Sequence, residues 1–195
     1  MAPPPNLERR RAIADGAIEV LAGSGVHGLS HRAVDEAVGL PAGTTSNYFR
    51  SRDALLTAAA ERVVELHQAD MAAAHGLVLG PIDRDGLVAL IGASLEFSAT
   101  AHRARYLAVY ELTLEATRRP ALQQALDGIK AGAVDFTLDQ HRALGLHTTR
   151  EDVATLITLF GGALYTLVTG QAGAVNAATT RALAQTMVAG VASAR

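Results

Sequence analysis

Apolar residues recur at the spacing of an α-helix along almost the whole chain. In the first such segment Ala14, Ala17, Ile18 and Leu21 stand at positions i, i+3, i+4 and i+7, the pattern of one buried helix face. Alanine, the strongest helix former, is abundant, whereas alternating β-branched residues are scarce. The sequence therefore predicts an all-α fold.

Capping residues and breakers divide the chain into predicted helices. Their ranges are about 7–22, 31–38, 41–48, 52–75, 87–101, 103–117, 121–144, 151–170 and 180–194. Ser30 and Ser51 are predicted N-caps, Gly39 a left-handed C-cap, and Pro41 the first residue of the third helix. Because short helices with tight turns give way to long helices near residue 52, we expect two domains, residues 1–52 and residues 53–195.

The charge balance excludes a uniformly basic surface. The chain has 17 Lys and Arg against 19 Asp and Glu, a formal charge of −2, and no cysteine. Any contact with nucleic acid must therefore be made by a few placed residues. Disulfides and thiolate metal sites are impossible without cysteine. The N-terminus has no pattern of a secretory signal, and we expect a cytoplasmic protein.

Residues 153–180 contain no charged side chain and are long enough to span a bilayer. Several threonines, Gln171 and Asn176 dilute the apolar character of this stretch, and a segment this polar inserts poorly into lipid. We therefore expect a buried interface helix rather than a membrane span, and no membrane partner.

Two short predicted helices joined at Gly39 and Leu40 have the geometry of a helix-turn-helix, whose second helix enters the major groove of DNA. That second helix is polar: residues 44–48 read TTSNY, and we expect these hydrogen-bonding side chains to face outward. Gly43 allows a close approach to DNA. A surface helix of an ordinary all-α domain is the alternative interpretation.

Residues 7–56 resemble the DNA-binding domain of the TetR family of transcriptional regulators. The resemblance covers the segments ERRRAIADGAIEVLAGSG, LSHRAVDEAVG and LPAGTTSNYFRSRDALL. The family pattern is met by Gly39, Leu40, Gly43, Thr44, Tyr48, Phe49, Arg52 and Leu55. The rest of the chain agrees only in the number and length of its helices.

The resemblance assigns DNA contacts to nine residues. Two lie at the start of the predicted helix 31–38, six in the predicted helix 41–48, which we call the reading helix, and one at the start of the predicted helix 52–75. They are His31, Arg32, Ala42, Gly43, Thr44, Ser46, Asn47, Tyr48 and Arg52. Arg32 and Arg52 each lie at the N-terminus of a predicted helix, where the exposed amides and the helix dipole favour phosphate. Arg9, Arg10 and Arg11 either reach the flanking DNA or form a solvated helix start.

Two positions depart from the family pattern. The family usually has Tyr where this chain has Ser46 and commonly Ala where it has Asp35. Tyr48 is then the candidate for the missing phosphate contact. Since a buried carboxylate without a partner is unfavourable, we expect Asp35 at the rim of the domain, near an arginine.

The predicted helices 121–144 and 151–170 have surfaces suited to pairing. Glycine inside a helix costs up to about 1 kcal/mol relative to alanine, a cost that close packing with a partner can offset. The predicted homodimer interface consists of Gly128, Gly132, Thr158, Gly162, Thr166 and Thr169. The resemblance implies pairing of the last two long helices as a four-helix bundle. An Ala/Gly-biased composition without special packing is the alternative.

A few large side chains stand in the alanine-rich body between residues 63 and 136, where they leave room for an apolar pocket with polar groups. The predicted ligand-binding residues are His67, Met71, Phe97, Tyr106, Tyr110 and Phe136. The resemblance implies a small-molecule effector that shifts the fourth helix, changes the separation of the two reading helices and releases double-stranded operator DNA.

Other function classes have less support. The sequence contains no phosphate-binding glycine loop, nucleophile elbow or metal-spaced cluster of His, Asp and Glu. We therefore expect neither catalytic residues, nor a metal site, nor a cofactor. A helical protein-interaction module, or a small-molecule binding protein without specific DNA binding, remains the alternative to a TetR-like repressor.

Overall fold

The computed structural model describes residues 5–75, 80–130 and 132–192. Within these ranges the chain forms ten α-helices and no β-strand, which confirms the all-α prediction. The helices are α1 (Pro5–Gly28), α2 (His31–Val38), α3 (Thr44–Tyr48), α4 (Arg52–His75), α5 (Arg84–Thr100), α6 (Arg103–Ala116), α7 (Pro120–Lys130), α8 (Ala133–Ala143), α9 (Arg150–Val168) and α10 (Ala177–Ala192).

Helix α1 is longer than the sequence predicts. The end is predicted at about residue 22, at the cluster Gly23-Ser24-Gly25. Gly23 and Ser24 continue the helix, and the break falls at the last residue of the cluster, Gly25. Gly25 has φ 65° and ψ −177°, a left-handed conformation that favours glycine. One helical turn then follows, up to Gly28.

The N-terminal caps of α2 and α4 are as predicted, but α3 starts later. Ser30 Oγ accepts from the Ala33 amide at 3.1 Å, Ser51 Oγ accepts from the Ala54 amide at 3.1 Å, and Gly39 is left-handed at φ 68°. The predicted start of α3 at Pro41 is wrong. Residues 41–43 form a turn. Gly43, at φ 88°, is not itself helical, so α3 begins only at Thr44.

The prediction of a single helix over residues 121–144 is also wrong. The chain forms α7 and α8 in its place, and Gly132 stands before α8 with φ −136° and ψ −12°, outside the helical region. The Gly132 carbonyl accepts from the Phe136 amide at 2.8 Å as the first turn of α8. Gly128 and Gly132 therefore do not share one helix.

The chain divides into two compact units, of which the first comprises residues 1–68 and 104–128. Its buried apolar side chains include Ile13, Leu21, Val34, Leu55, Leu56, Leu112 and Leu122. A charged network joins α1 to α4: Arg62 lies 2.7 Å from both Asp15 and Glu65, and Glu65 also pairs with Arg11. The network fixes α1 on the first half of α4.

The second unit comprises residues 69–103 and 129–195. Helix α5 packs on α10, where Leu87 and Val88 meet Ala184 and Val188. At buried Gly92 an added Cβ would lie 3.4 Å from the Arg181 Cα, so the two backbones approach closely. Helix α9 packs on α5, α8 and α10.

Among the described residues, one helix is long and apolar enough to cross a membrane, by length and composition alone. It is α9. It has 19 residues and a mean hydropathy of 1.3 over its most apolar window. Only 28% of that window is buried inside this chain. Much of an apolar helix surface is therefore left for contacts outside the chain.

Candidate nucleic-acid interface

The reading helix α3 is held by one buried carboxylate on α2. Asp35 is 3% exposed, and its two oxygens accept from the amides of Gly43 and Thr45 at 2.7 and 2.8 Å. The Thr45 hydroxyl donates to the same carboxylate at 2.6 Å. Asp35 therefore acts as the N-terminal cap of α3 across the turn. The expectation that Asp35 lies at the rim near an arginine is wrong, because these three donors satisfy the buried charge.

The environment of Asp35 favours its ionised form. Burial by itself would raise the pKa of this carboxyl, but the Thr45 hydroxyl, the Thr45 and Gly43 amides and nearby His31 together hold the pKa below its usual 3.8. The carboxylate is therefore ionised near neutral pH. Its negative charge at the start of α3 also complements the helix dipole.

The prediction that all side chains of α3 face outward is wrong for Thr45. Thr45 is fully buried, since its hydroxyl binds Asp35. Thr44 donates to the Pro41 carbonyl at 2.6 Å and Ser46 to the Gly43 carbonyl at 2.8 Å. Asn47 is exposed. Its amide is the side chain of α3 best placed to donate to and accept from a base edge.

The remaining predicted contacts of the reading segment differ in exposure. Ala42 and Gly43 are exposed, and Tyr48 is half-buried. In the part of the chain that the structure describes, an added Cβ at Gly43 would meet no atom within 4 Å other than those of its chain neighbours. The turn before α3 thus presents a smooth, small-residue surface beside Asn47, one that permits close approach of another backbone.

His31 and Arg52 are engaged inside the first unit. His31 Nε2 lies 2.7 Å from the Phe49 carbonyl oxygen. The Arg52 guanidinium donates to the Leu29 carbonyl at 3.0 Å and to the Val26 carbonyl. Both side chains therefore fix the ends of the helices around α3. Their predicted direct DNA contacts stay predictions.

The arginines of α1 have three different environments. Arg10 stacks over the Phe49 ring at 4.5 Å and donates to the Tyr48 carbonyl at 3.1 Å. Arg11 pairs with Glu65, whereas Arg9 is exposed. Arg32 and Arg50, near the two ends of the helix-turn-helix, are exposed as well. Arg9, Arg32 and Arg50 are therefore exposed cations suited to phosphate contact.

The predicted interface stripe on α9 is largely open. Thr158, Gly162 and Thr169 are exposed and Thr166 is half-buried. The three threonine hydroxyls donate to carbonyls of their own helix, at 2.7 to 2.9 Å. Because their hydrogen bonds are made within the helix, the threonines add little polarity to this face.

Large apolar side chains stand on the same helix beside that stripe. Leu159 is 42% exposed and Tyr165 is 40% exposed. Among the described residues, an added Cβ at Gly161 or Gly162 would meet no atom of another element within 4 Å. The α9 face, defined as Thr158, Leu159, Gly162, Tyr165, Thr166 and Thr169, is therefore largely apolar and largely exposed within the part of the chain that the structure describes.

Gly128 packs within its own chain. An added Cβ there would lie 2.7 Å from Val64 Cγ1, so this glycine permits the contact between α7 and α4. At Gly132 an added Cβ would meet no atom of the described residues outside its chain neighbours within 4 Å. The interface role of these two glycines stays a prediction that no longer has a shared helix to support it.

The six predicted ligand-binding residues are divided between the units. His67, Tyr106 and Tyr110 belong to the first, and Met71, Phe97 and Phe136 to the second. Phe97 is 57% exposed and meets the His102 ring edge-on, with 4.7 Å between centroids.

A cavity of about 260 Å³ within the second unit contains none of these six residues. Its lining consists of Leu87, His147, Thr148, Asp152, Leu156, Val188 and Val191. In the described part of the chain, no group of three or more His, Asp or Glu side chains is arranged to hold a metal ion.

Two residues that organise the site were missed by sequence reasoning. Asp35 stands eight and ten residues before the amides that it caps, beyond the three-residue spacing of a local cap. Glu111 of α6 accepts from the Val26 amide at 3.0 Å across 85 residues of chain. The departure of Asp35 from the family's usual Ala was a usable signal for the first, whereas no local pattern marks the second.

Comparison with known proteins gives a family for the chain. Residues 82–194 match the family model described as "Tetracyclin repressor-like, C-terminal domain". A search of curated proteins found no match. Among solved structures, the multidrug binding protein EbrR complexed with proflavin is 26% identical, with 92% of this chain and 99% of that chain covered and a TM-score of 0.61.

Two further solved structures agree with this match. A TetR-family member from Streptomyces coelicolor A3 is 27% identical, with 92% and 98% of the two chains covered and a TM-score of 0.68. A TetR transcription regulator from Haloarcula marismortui, 15% identical over 96% and 98% of the chains with a TM-score of 0.71, shares the fold. The family model covers more than half of the chain. This protein therefore belongs to the TetR family of transcriptional regulators.

Proposed function

We propose that this regulator is a repressor that binds a palindromic DNA operator as a homodimer and is released by a small-molecule effector. Residues 1–52 would form the DNA-binding domain, and residues 53–195 the ligand-binding and dimerisation domain, of a cytoplasmic protein. The observation that carries the proposal is the capping of α3 by Asp35, which leaves Asn47 exposed beside the smooth turn at Ala42 and Gly43.

In this proposal Asn47 contacts a base edge in the major groove, since an amide both donates and accepts. Thr44, Ser46 and Tyr48 line the same helix. Arg32 contacts phosphate from the first turn of α2, where the helix dipole adds to its charge. Arg9 and Arg50 are exposed cations that extend this phosphate contact along the DNA.

Pairing would occur through the α9 face. In a dimer, the two reading helices would lie about 34 Å apart and enter successive major grooves on one side of the DNA. The first domain carries nearly balanced charge, so one copy would bind DNA weakly and the second adds avidity. The low burial of apolar α9 within one chain supports a protein partner at this helix.

The effector is proposed by analogy with EbrR, whose structures with proflavin and ethidium are similar to this chain at 26% identity. His67, Met71, Phe97, Tyr106, Tyr110 and Phe136 are the proposed ligand contacts. Proflavin is a practical first probe. A bound ligand would raise the melting temperature of the protein by mass action and lower its affinity for operator DNA.

The test uses fluorescence anisotropy with DNA from upstream of the regulator's own gene. We expect Asn47→Ala to lower the affinity for this DNA about tenfold or more, the factor of a lost base contact. Arg32→Ala should weaken binding to all sequences and reduce the salt slope by about one per contact removed. Arg142→Ala, a 71% exposed cation of the second unit, is the charge-matched control. Wild-type affinity and slope in both Asn47→Ala and Arg32→Ala would contradict the proposal.

A further inference from the structure

The junction between α1 and α2 is bound by a carboxylate from α6. The left-handed turn at Gly25 interrupts the helical hydrogen-bond ladder, and the Val26 amide donates to Glu111 Oε2 at 3.0 Å. Val26 is 7% exposed and Glu111 is half-buried. A buried amide that loses its acceptor is unfavourable, so this single bond has a strong effect on the junction.

The same junction is bound from the start of α4. The Val26 carbonyl accepts from the Leu29 amide at 3.1 Å and from the Arg52 guanidinium, which also reaches the Leu29 carbonyl. Both polar groups of the Val26 peptide segment are thus held, the amide by α6 and the carbonyl by α4. These hydrogen bonds lie directly before the helix-turn-helix, since Ser30, the cap of α2, is the one residue between Leu29 and the first residue of α2.

Close packing at Gly25 keeps the carboxylate in place. An added Cβ at Gly25 would lie 3.2 Å from Glu111 Oε2 and, at φ 65°, would be strained by the backbone. A glycine at this position therefore serves both the turn and the approach of Glu111.

Charge alone would favour a neutral residue at position 111. A carboxylate near a DNA-binding domain repels phosphate, so its removal should strengthen DNA binding by simple electrostatics. A positioning role predicts instead that loss of the acceptor at the Val26 amide weakens DNA binding, and that loss of the charge alone does not strengthen it. The two effects can therefore be separated by experiment.

We infer that Glu111 is a positioning residue: its carboxylate holds the α1–α2 junction on α6 and thereby fixes the orientation of α2 and of the reading helix that Asp35 attaches to it. The consequence for DNA binding rests on the proposed function. The structural part concerns the Val26 amide alone and can be tested without DNA.

The experiment measures hydrogen exchange of the Val26 amide by NMR, together with affinity for the upstream DNA. Glu111→Asp keeps the charge but shortens the reach by one methylene. We expect Val26 exchange about tenfold faster, the factor of a lost hydrogen bond to a charged group, and a severalfold weaker affinity with an unchanged salt slope. Glu111→Gln removes the charge but keeps an acceptor at the same reach, and should retain near wild-type exchange and affinity.

Glu61→Ala is the control, because it removes an exposed carboxylate from α4 in the same unit. It should leave Val26 exchange unchanged. Wild-type exchange in Glu111→Asp would overturn the inference, as would faster exchange combined with wild-type DNA affinity. If the wild-type protein bound no specific DNA, the proposed function would fail, and Val26 exchange in Glu111→Asp would still support or overturn the role of Glu111 at the junction.

Discussion

Helices α3 and α9 are positioned in opposite ways. Helix α3 has five residues, and the buried Asp35 of another helix holds its N-terminus. Helix α9 has 19 residues and its own capping box, in which Thr149 Oγ1 accepts from the Asp152 amide at 3.1 Å and Asp152 accepts from the Thr149 amide at 2.8 Å. A helix as short as α3 is unstable alone, so its orientation depends on side chains from other helices, above all Asp35, whereas α9 depends on its packed length.

The largest expected effect follows from removal of the α3 cap. Asp35→Ala leaves the Gly43 amide and the Thr45 amide and hydroxyl without their acceptor. We expect the free energy of unfolding to fall by about 3 kcal/mol and specific DNA binding to be lost. Urea unfolding and DNA anisotropy measure the two effects. Glu36→Ala, an exposed neighbour on α2, should change the free energy of unfolding by less than about 0.5 kcal/mol. An Asp35→Ala variant as stable as Glu36→Ala would remove the contrast between α3 and α9.

The α9 face gives the next largest expected effect. Gly162→Leu adds a side chain into open space in the single chain, so folding should be little affected while close pairing is prevented. We expect the dimer dissociation constant to rise at least about tenfold, which corresponds to about 1.4 kcal/mol. Sedimentation equilibrium measures it. Gly23→Leu, an equally open helical site on α1, is the matched control, and unchanged dimerisation in Gly162→Leu would exclude α9 from the interface.

The pH dependence of stability sharpens the role of the Asp35 charge. The folded pKa of Asp35 lies below the usual 3.8, so its contribution is fully present above the unfolded pKa and is lost as the pH falls through the folded pKa. Wild type should therefore exceed Asp35→Asn in urea midpoint most clearly at pH 5 to 7. The difference should shrink as the pH falls below 3.8. A difference that is constant from pH 6 down to pH 3 would show that the charge is irrelevant.

The smallest expected effect is at the cap of α9. Thr149→Ala removes half of a local capping box and should cost about 1 kcal/mol of unfolding free energy, with no change in DNA affinity per dimer. Thr149→Ser keeps the hydroxyl and is the control. Should Thr149→Ala cost as much as Asp35→Ala, the two helices would not differ in how they depend on their caps.

Local features of this fold were predictable and tertiary ones were not. Ser30, Ser51 and Gly39 act within three or four residues, so their capping roles follow from sequence spacing. The break before α8 was missed because both flanking segments favour helix and glycine is tolerated inside helices.

In the candidate site, too, local features were predictable and tertiary contacts were not. The two short helices joined at Gly39 and Leu40 predicted the helix-turn-helix, and the polar sequence of residues 44–48 predicted the exposure of Asn47. Neither pattern predicted that Thr45 faces inward or that Asp35 caps α3, because both facts depend on how α2 and α3 cross after the turn. The contact between Glu111 and Val26 joins segments 85 residues apart, a pairing that a single sequence does not encode in any local pattern.

Hydroxyl-radical footprinting of the upstream DNA tests the central claim most directly. A homodimer with two reading helices should protect two symmetry-related patches about one helical turn, roughly 10 base pairs, apart. At the wild-type protein concentration and moderate salt, Asn47→Ala should weaken the protection of both. A single protected patch, or equal protection by wild type and Asn47→Ala, would contradict the account.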